Sequence, residues 1–295
     1  MHSPIHPSFG FSRWLIPAIT IFLLTVGCAP PVQRPTGPAR DYEDAKDFFK
    51  RGRLEKATDI TNALAESSPP TAFTDRARVL QAVIYAGQVE AYKELADAYG
   101  KGADQTRNSR FKAEYDRLRH DNLQFASRAA LGLAETAHQM TLDGTLPKEV
   151  TLEAPFPSAE GPGEVKELER VRQGGWIEPD QQESASIDAV RKGVDDALAG
   201  IVSGDRAKAR TALSQGSTKI DGVDFAIFLG NGLVDGATIF DRKHGRDSTR
   251  LKTVCNEADA VAKAALALLK DNPNAEKEKQ VKKLQDRIKT TLKSV

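Results

Sequence analysis

Between Ser109 and Met140, the residues Phe111, Tyr115, Leu118, Asn122, Ala126, Ala129, Leu133, Ala137 and Met140 recur at steps of three or four. An α-helix gathers such positions on one face, because its turn takes 3.6 residues. The spacing therefore predicts one long helix from about Ser109 to Met140, buried along its length. Alanine in its second half predicts a neighbouring helix at close range. Aromatic residues make up only 6% of the chain, while alanine, leucine, lysine and glutamate recur throughout. These residues lose little rotamer freedom in a helix. The expected fold is all-α: antiparallel helical hairpins around a long central helix, with an irregular mid-chain loop.

The C-terminal part carries further helical stripes. Ile187, Val190, Val194, Leu198 and Ile201 predict one helix, and "GDRAKARTALSQG" a short second one after a turn at Gly204. The run "VDFAIFLGNGLVDGATIF" is apolar nearly all round. It is short and bears Asp224 and Asp235, so it predicts a central buried helix and not a membrane span. Leu251, Cys255, Ala258, Ala262, Ala265 and Leu269 mark another core helix, ended by Asn272 and Pro273. A charged terminal helix, Ala275 to Leu292, has a thin stripe of Val281, Leu284, Ile288 and Leu292. Its lysines read as a solvated face, with contact to anionic lipid or cell-wall polymer as the alternative.

From Asp41, "DYEDAKDFFKRGRLEKATDITNALAESSPP" reads as two short helices joined at Gly52. Ala45, Gly52, Leu54, Ala57 and Pro69 fall at the spacing of one tetratricopeptide unit, which this segment resembles. Tyr42 stands for the family's large early residue, and Thr61 replaces a common aromatic. A generic helical hairpin carries the same small residues. A second hairpin is expected around Gly87, from "TDRARVLQAVIYAG" and "QVEAYKELADAYGKG", out of register with the repeat. Residues 141–180 are expected to be an irregular linker containing one strand-like piece, Val150 to Leu152, between helical regions 41–140 and 181–295. Trp176 and Ile177 within it are either a loop anchor on the helical core or a contact for a partner.

The N-terminus has separate physics. Arg13 precedes an apolar run, Trp14 to Val26, broken by Pro17, Thr20 and Thr25. That run is short for a spanning helix and suits a signal-peptide core. With Leu24, Val26, Gly27 and Cys28, it resembles the bacterial lipoprotein signal family, with Thr25 where Leu, Val or Ile is usual. The resemblance implies cleavage after Gly27, residues 1–27 being the signal peptide, and a diacylglyceryl thioether on Cys28. The other reading is a plain anchor helix with an incidental cysteine. Ala29 and Pro30 lack the aspartate that retains such lipoproteins at the inner membrane, so the resemblance implies the outer membrane, facing the periplasm. Residues 28–40, with Pro30, Pro31, Pro35 and Pro38, form a proline-rich tether.

Functional chemistry is sparse. Lys+Arg 42 against Asp+Glu 41 gives a net charge of +1, without the basic excess of a nucleic-acid binder. Glu135 and His138 have the spacing of two metal ligands on one helix face, but no second copy of the pair follows. Gly230, Gly232 and Gly236 lack the strand-then-helix setting of a dinucleotide fingerprint and suit helix packing instead. His244 sits in a polar loop with no nucleophile nearby in sequence. With Cys28 lipidated, Cys255 has no partner, and its place on an apolar stripe predicts a buried core thiol. The expectation is therefore no enzyme and no cofactor, but a membrane-anchored envelope lipoprotein that scaffolds a protein partner by groove-like binding. The alternative is a helical lipoprotein holding small apolar ligands for an envelope transport system.

Overall fold

The computed structural model describes residues 36–154, 165–202, 204–241 and 247–294. Helix α1, Pro38–Lys50, starts before Asp41 because Pro38 fits a first helical turn, where its missing N–H breaks no bond. Gly52, at φ 68, turns the chain into α2, Leu54–Ala65. Helix α3, Thr74–Gln105, and α4, Ser109–Thr141, are long and pack extensively on each other. Asn108 caps α4, its side chain accepting from Arg110 N and Phe111 N. Strand β1, Glu149–Leu152, and helix α5, Lys166–Arg172, come next. Then follow α6, Pro179–Val202, α7, Arg206–Leu213, and β2, Thr218–Asp221. Helix α8, Gly222–Ala237, runs into a 3₁₀ turn, Thr238–Phe240, before α9, Ser248–Asp271, and α10, Ala275–Leu292. The two strands pair antiparallel, Glu149 opposite Asp221 and Leu152 opposite Thr218. The fold is all-α with one small two-stranded ribbon.

The hairpin expected around Gly87 is absent: α3 runs through that residue as a single helix of 32 residues. Gly87 answers a tertiary requirement and not a turn. A Cβ there would lie 2.5 Å from the Cα of Val194, and one at Gly193 would lie 2.3 Å from the Gly87 carbonyl oxygen. The backbones of α3 and α6 thus touch where both lack side chains. Helices α1 and α2 are the expected pair of short helices joined at Gly52, and α3, unbroken at Gly87, gives no second hairpin there.

Residues 141–180 hold more order than expected. Besides β1 they contain α5, whose seven residues are too few to show a period. Leu146, Val150, Leu152, Ala154, Leu168 and Val171 are all buried. The helices before and after this stretch pack together, α3 on α6 and α4 on both α8 and α9. Gly37–Val295 accordingly forms one compact unit.

On α6, Val194, Leu198 and Ile201 of the expected stripe are buried and Val190 is partly buried, but Ile187 is 45% exposed. In the first half of the helix Ala185, Ala189 and Gly193 face inward, because the close approach to α3 admits only small side chains. The predicted stripe of α9 is buried throughout, as are Val281, Leu284 and Ile288 of α10, whereas Leu292 is exposed. Asn122 is buried within its stripe and donates to the Leu118 carbonyl at 2.7 Å. Two apolar clusters result. The larger spans most helices, and the smaller gathers Leu95, Tyr99, Tyr115, Leu168, Val171 and Ile177.

Cys255 is fully buried in the larger cluster, and desolvation pushes its thiol up to about 11. The thiolate is the reactive form, so a maleimide probe is expected to label Cys255 only after denaturation. Rapid labelling of Cys255 in the folded protein contradicts this placement.

Candidate functional site

The site is built on α8. Its start is fixed twice: the Asp221 side chain accepts from Val223 N and Asp224 N at 2.9 and 3.3 Å, and Gly222 N donates to the Lys148 carbonyl at 2.8 Å. A Cβ at Gly222 would fall 2.0 Å from the Pro147 oxygen, so only glycine seats the helix against the β1 approach. Inward, Phe225, Ala226, Leu229, Leu233, Val234 and Ala237 fill the core. Gly230 admits Leu284 of α10, Gly232 meets Leu133 and Gly236 meets Ala130, both of α4. These three glycines are helix contacts. The helix and its 3₁₀ extension, Gly222–Phe240, are long and apolar enough to cross a membrane, but most of the segment is buried in the protein.

Outward, Asp224, Ile227, Phe228, Asn231 and Asp235 are left facing a groove. On one side α3 contributes Val89 and Glu90, and α6 contributes Gly193, Asp196, Gly200 and Ile201, enclosing an open hollow of about 710 Å³. On the other side α10 contributes Lys279, Lys283 and Arg287 to a second hollow of about 750 Å³, and the two hollows share Ile227, Asn231, Asp235 and Gln280.

The acids of the groove are held by cations of the neighbouring helices. Arg287 donates to Asn231 Oδ1 at 2.5 Å and to Asp235 Oδ1 at 2.8 Å, while Lys93 donates to the Asp235 carbonyl at 3.1 Å. Lys277 lies 3.0 Å from Asp224 and 2.8 Å from Asp221, tying α10 to the start of α8. Arg206 of α7 binds Asp196, and Lys192 bridges Asp196 and Glu94, each at 3.4 Å. These pairs are partly exposed, so each contributes little to stability, on the order of 0–1 kcal/mol. Their effect is to fix the carboxylates in place.

No protein-family model, curated protein or solved structure matches this chain. The reading of the groove therefore rests on its own geometry.

Of the residues singled out from sequence, Trp176 and Ile177 are not a free pair for a partner. Ile177 is 1% exposed, and Trp176 is half-buried, stacked on Phe111 at 4.6 Å and facing Tyr115 at 5.9 Å. Tyr115 also donates its hydroxyl to the Gly175 carbonyl. The aromatic stack and this bond make the segment a loop anchor for the smaller core. Glu135 and His138 are exposed and engaged apart, Glu135 by Gln139 and His138 by Glu257 at 3.4 Å. Among the described residues, no three His, Cys, Asp or Glu side chains gather as a metal site. Cys28, Thr25 and His244 lie outside the described residues.

The sequence reading missed the groove. Its trace was present: Asp224, Asn231 and Asp235, with Ile227 and Phe228 between them, recur at helical spacing within an otherwise apolar run. A lone polar stripe on an apolar helix marks the side that the core leaves uncovered.

Proposed function

We propose that this chain is a lipid-anchored envelope lipoprotein whose helical body docks a protein partner in the α3, α6, α8 and α10 groove. Cys28 carries the lipid, and residues 28–37, ahead of α1, hold the body away from an outer-membrane surface facing the periplasm. The observation that carries the reading is the groove itself. A helix buried on its inner side leaves Ile227 and Phe228 at the floor of the hollow toward α3 and α6, and Ile227 again in the adjoining hollow toward α10, with charged rims on both sides. Such an apolar floor with a polar rim has the anatomy of a protein-docking surface. The hollows are open and charge-lined, which suits a protein segment better than a small apolar molecule. Anchoring raises the local concentration of the body at the membrane, so modest intrinsic affinity suffices.

Two measurements test this. Cells fed a clickable palmitate analogue are expected to label the protein, with the label lost in Cys28→Ala; an unlabelled wild type returns the N-terminus to a plain anchor helix. A photo-crosslinking residue at Gln280 is expected to trap one protein in native membranes, whereas the same residue at Glu183 traps none. Lipid or metabolite adducts at the groove positions would overturn the scaffold reading.

A further inference from the structure

We infer that the hollow between α3, α6 and α8 takes the basic edge of an amphipathic helix from the partner, an inference that rests on the docking reading above. The residues lining it include Glu90, Asp196, Asp224 and Asp235 and no lysine, arginine or histidine. The cations that hold Asp196, Asp224 and Asp235 stand outside that lining, and Glu90 is exposed with no ion-pair partner among the described residues. A segment entering the hollow therefore meets Glu90 unpaired and three carboxylates whose cations approach from outside the lining, around an apolar floor of Val89, Ile201, Ile227 and Phe228. An apolar stripe bordered by lysine or arginine is the complement of that surface.

Gly200 supplies an independent reason to expect an occupant. It lies within α6, where glycine costs up to about 1 kcal/mol relative to alanine. Gly87 and Gly193 repay that cost in packing, but a Cβ at Gly200 would meet nothing within 4 Å. Nothing in the fold requires glycine at this position; its effect is to keep the hollow open along α6. From Asp224 to Asp235 the groove follows α8 for about 16 Å at 1.5 Å per residue, room for some three turns of a docked helix. Charge also sets its direction. On the α10 side Lys279 and Lys283 have no ion pair among the described residues and outnumber the one acid there, Glu276, so that side repels a basic edge and turns it toward α3 and α6.

The test uses the full-length protein in phosphatidylcholine nanodiscs, with empty discs subtracted, and labelled model peptides read by fluorescence anisotropy. One peptide carries leucine at helical i, i+3, i+4, i+7 spacing with lysine along one edge; its counterpart carries glutamate there. The lysine peptide is expected to bind at least about tenfold tighter, a difference of about 1.4 kcal/mol. Glu90→Lys is expected to weaken it about fivefold, and Gly200→Leu, which places a side chain in open space and improves helix propensity, by about tenfold or more. Glu183→Lys, about 15 Å along α6 from Gly193, leaves binding unchanged. Equal binding of the glutamate peptide, or indifference to both groove variants, overturns the inference. Trapping of a protein at Gln280 while the lysine peptide fails leaves the docking reading standing and removes only its basic edge. Failure of both removes both.

Discussion

Asp195→Asn is expected to raise the stability of the protein at pH 7.5, by up to about 3 kcal/mol, and to change it little at pH 4. Asp195 lies on α6 with 1% of its surface exposed, and neither carboxylate oxygen meets a hydrogen-bond donor. Burial raises its pKa to about 6, opposed by Arg206 and Arg210 and assisted by Asp196. An acid whose folded pKa lies above its unfolded value holds its proton more tightly when folded. Its favourable contribution is complete below the unfolded pKa of about 3.9 and is lost as pH rises through about 6. Asparagine keeps the shape and removes the charge, so the advantage of the variant opens between about pH 4 and pH 6 and stays level above that range. For a body of this size, thermal midpoints shift by about 2–4 °C per kcal/mol, so melts at pH 4, 5, 6 and 7.5 resolve the trend. A variant that is less stable at every pH would mean that the charge is paired and favourable, contrary to the geometry.

The same residue shows what the sequence could reveal. Asp195 and Asp196 look alike in the chain, as two acids on a helix. Only the packing of α6 among its neighbours buries one and puts the other in the groove, beside Arg206. In the first half of that helix Ile187 suggests the inner face by its hydrophobicity, whereas Ala185, Ala189 and Gly193 form it. On α10, Val281, Leu284 and Ile288 mark the core face by hydrophobic period, and on α9 Leu251 and Leu269 at either end set the register of the alanines between them. Where an inner face is alanine and glycine alone, as at Ala185, Ala189 and Gly193, it carries little hydrophobic signal. The groove is hard to read from sequence for a related reason: it is assembled from α3, α6, α8 and α10, and no local spacing records which helices become neighbours.

Gly87→Ala is expected to destabilise the protein by about 3 kcal/mol, lowering its thermal midpoint by about 6–12 °C. In an ordinary helix interior the same change stabilises by about 1 kcal/mol, so the sign distinguishes a crossing point from a chance glycine. The new Cβ would lie 2.5 and 2.6 Å from the Val194 Cα and N, backbone atoms that cannot rotate away. A turn at Gly87 would instead tolerate substitution at modest cost, but its φ is not positive and α3 continues through it. Gly193→Ala should cost a similar amount, since its Cβ would strike the Gly87 carbonyl at 2.3 Å. Both changes force the same two backbones apart, so the double variant should lose much less than the sum of the single losses. Gly200→Ala, seven residues further along the same helix, should be neutral or stabilising because its Cβ points into open space. Strict additivity of Gly87→Ala and Gly193→Ala, or stabilisation by either, would show that α3 and α6 do not meet at these residues.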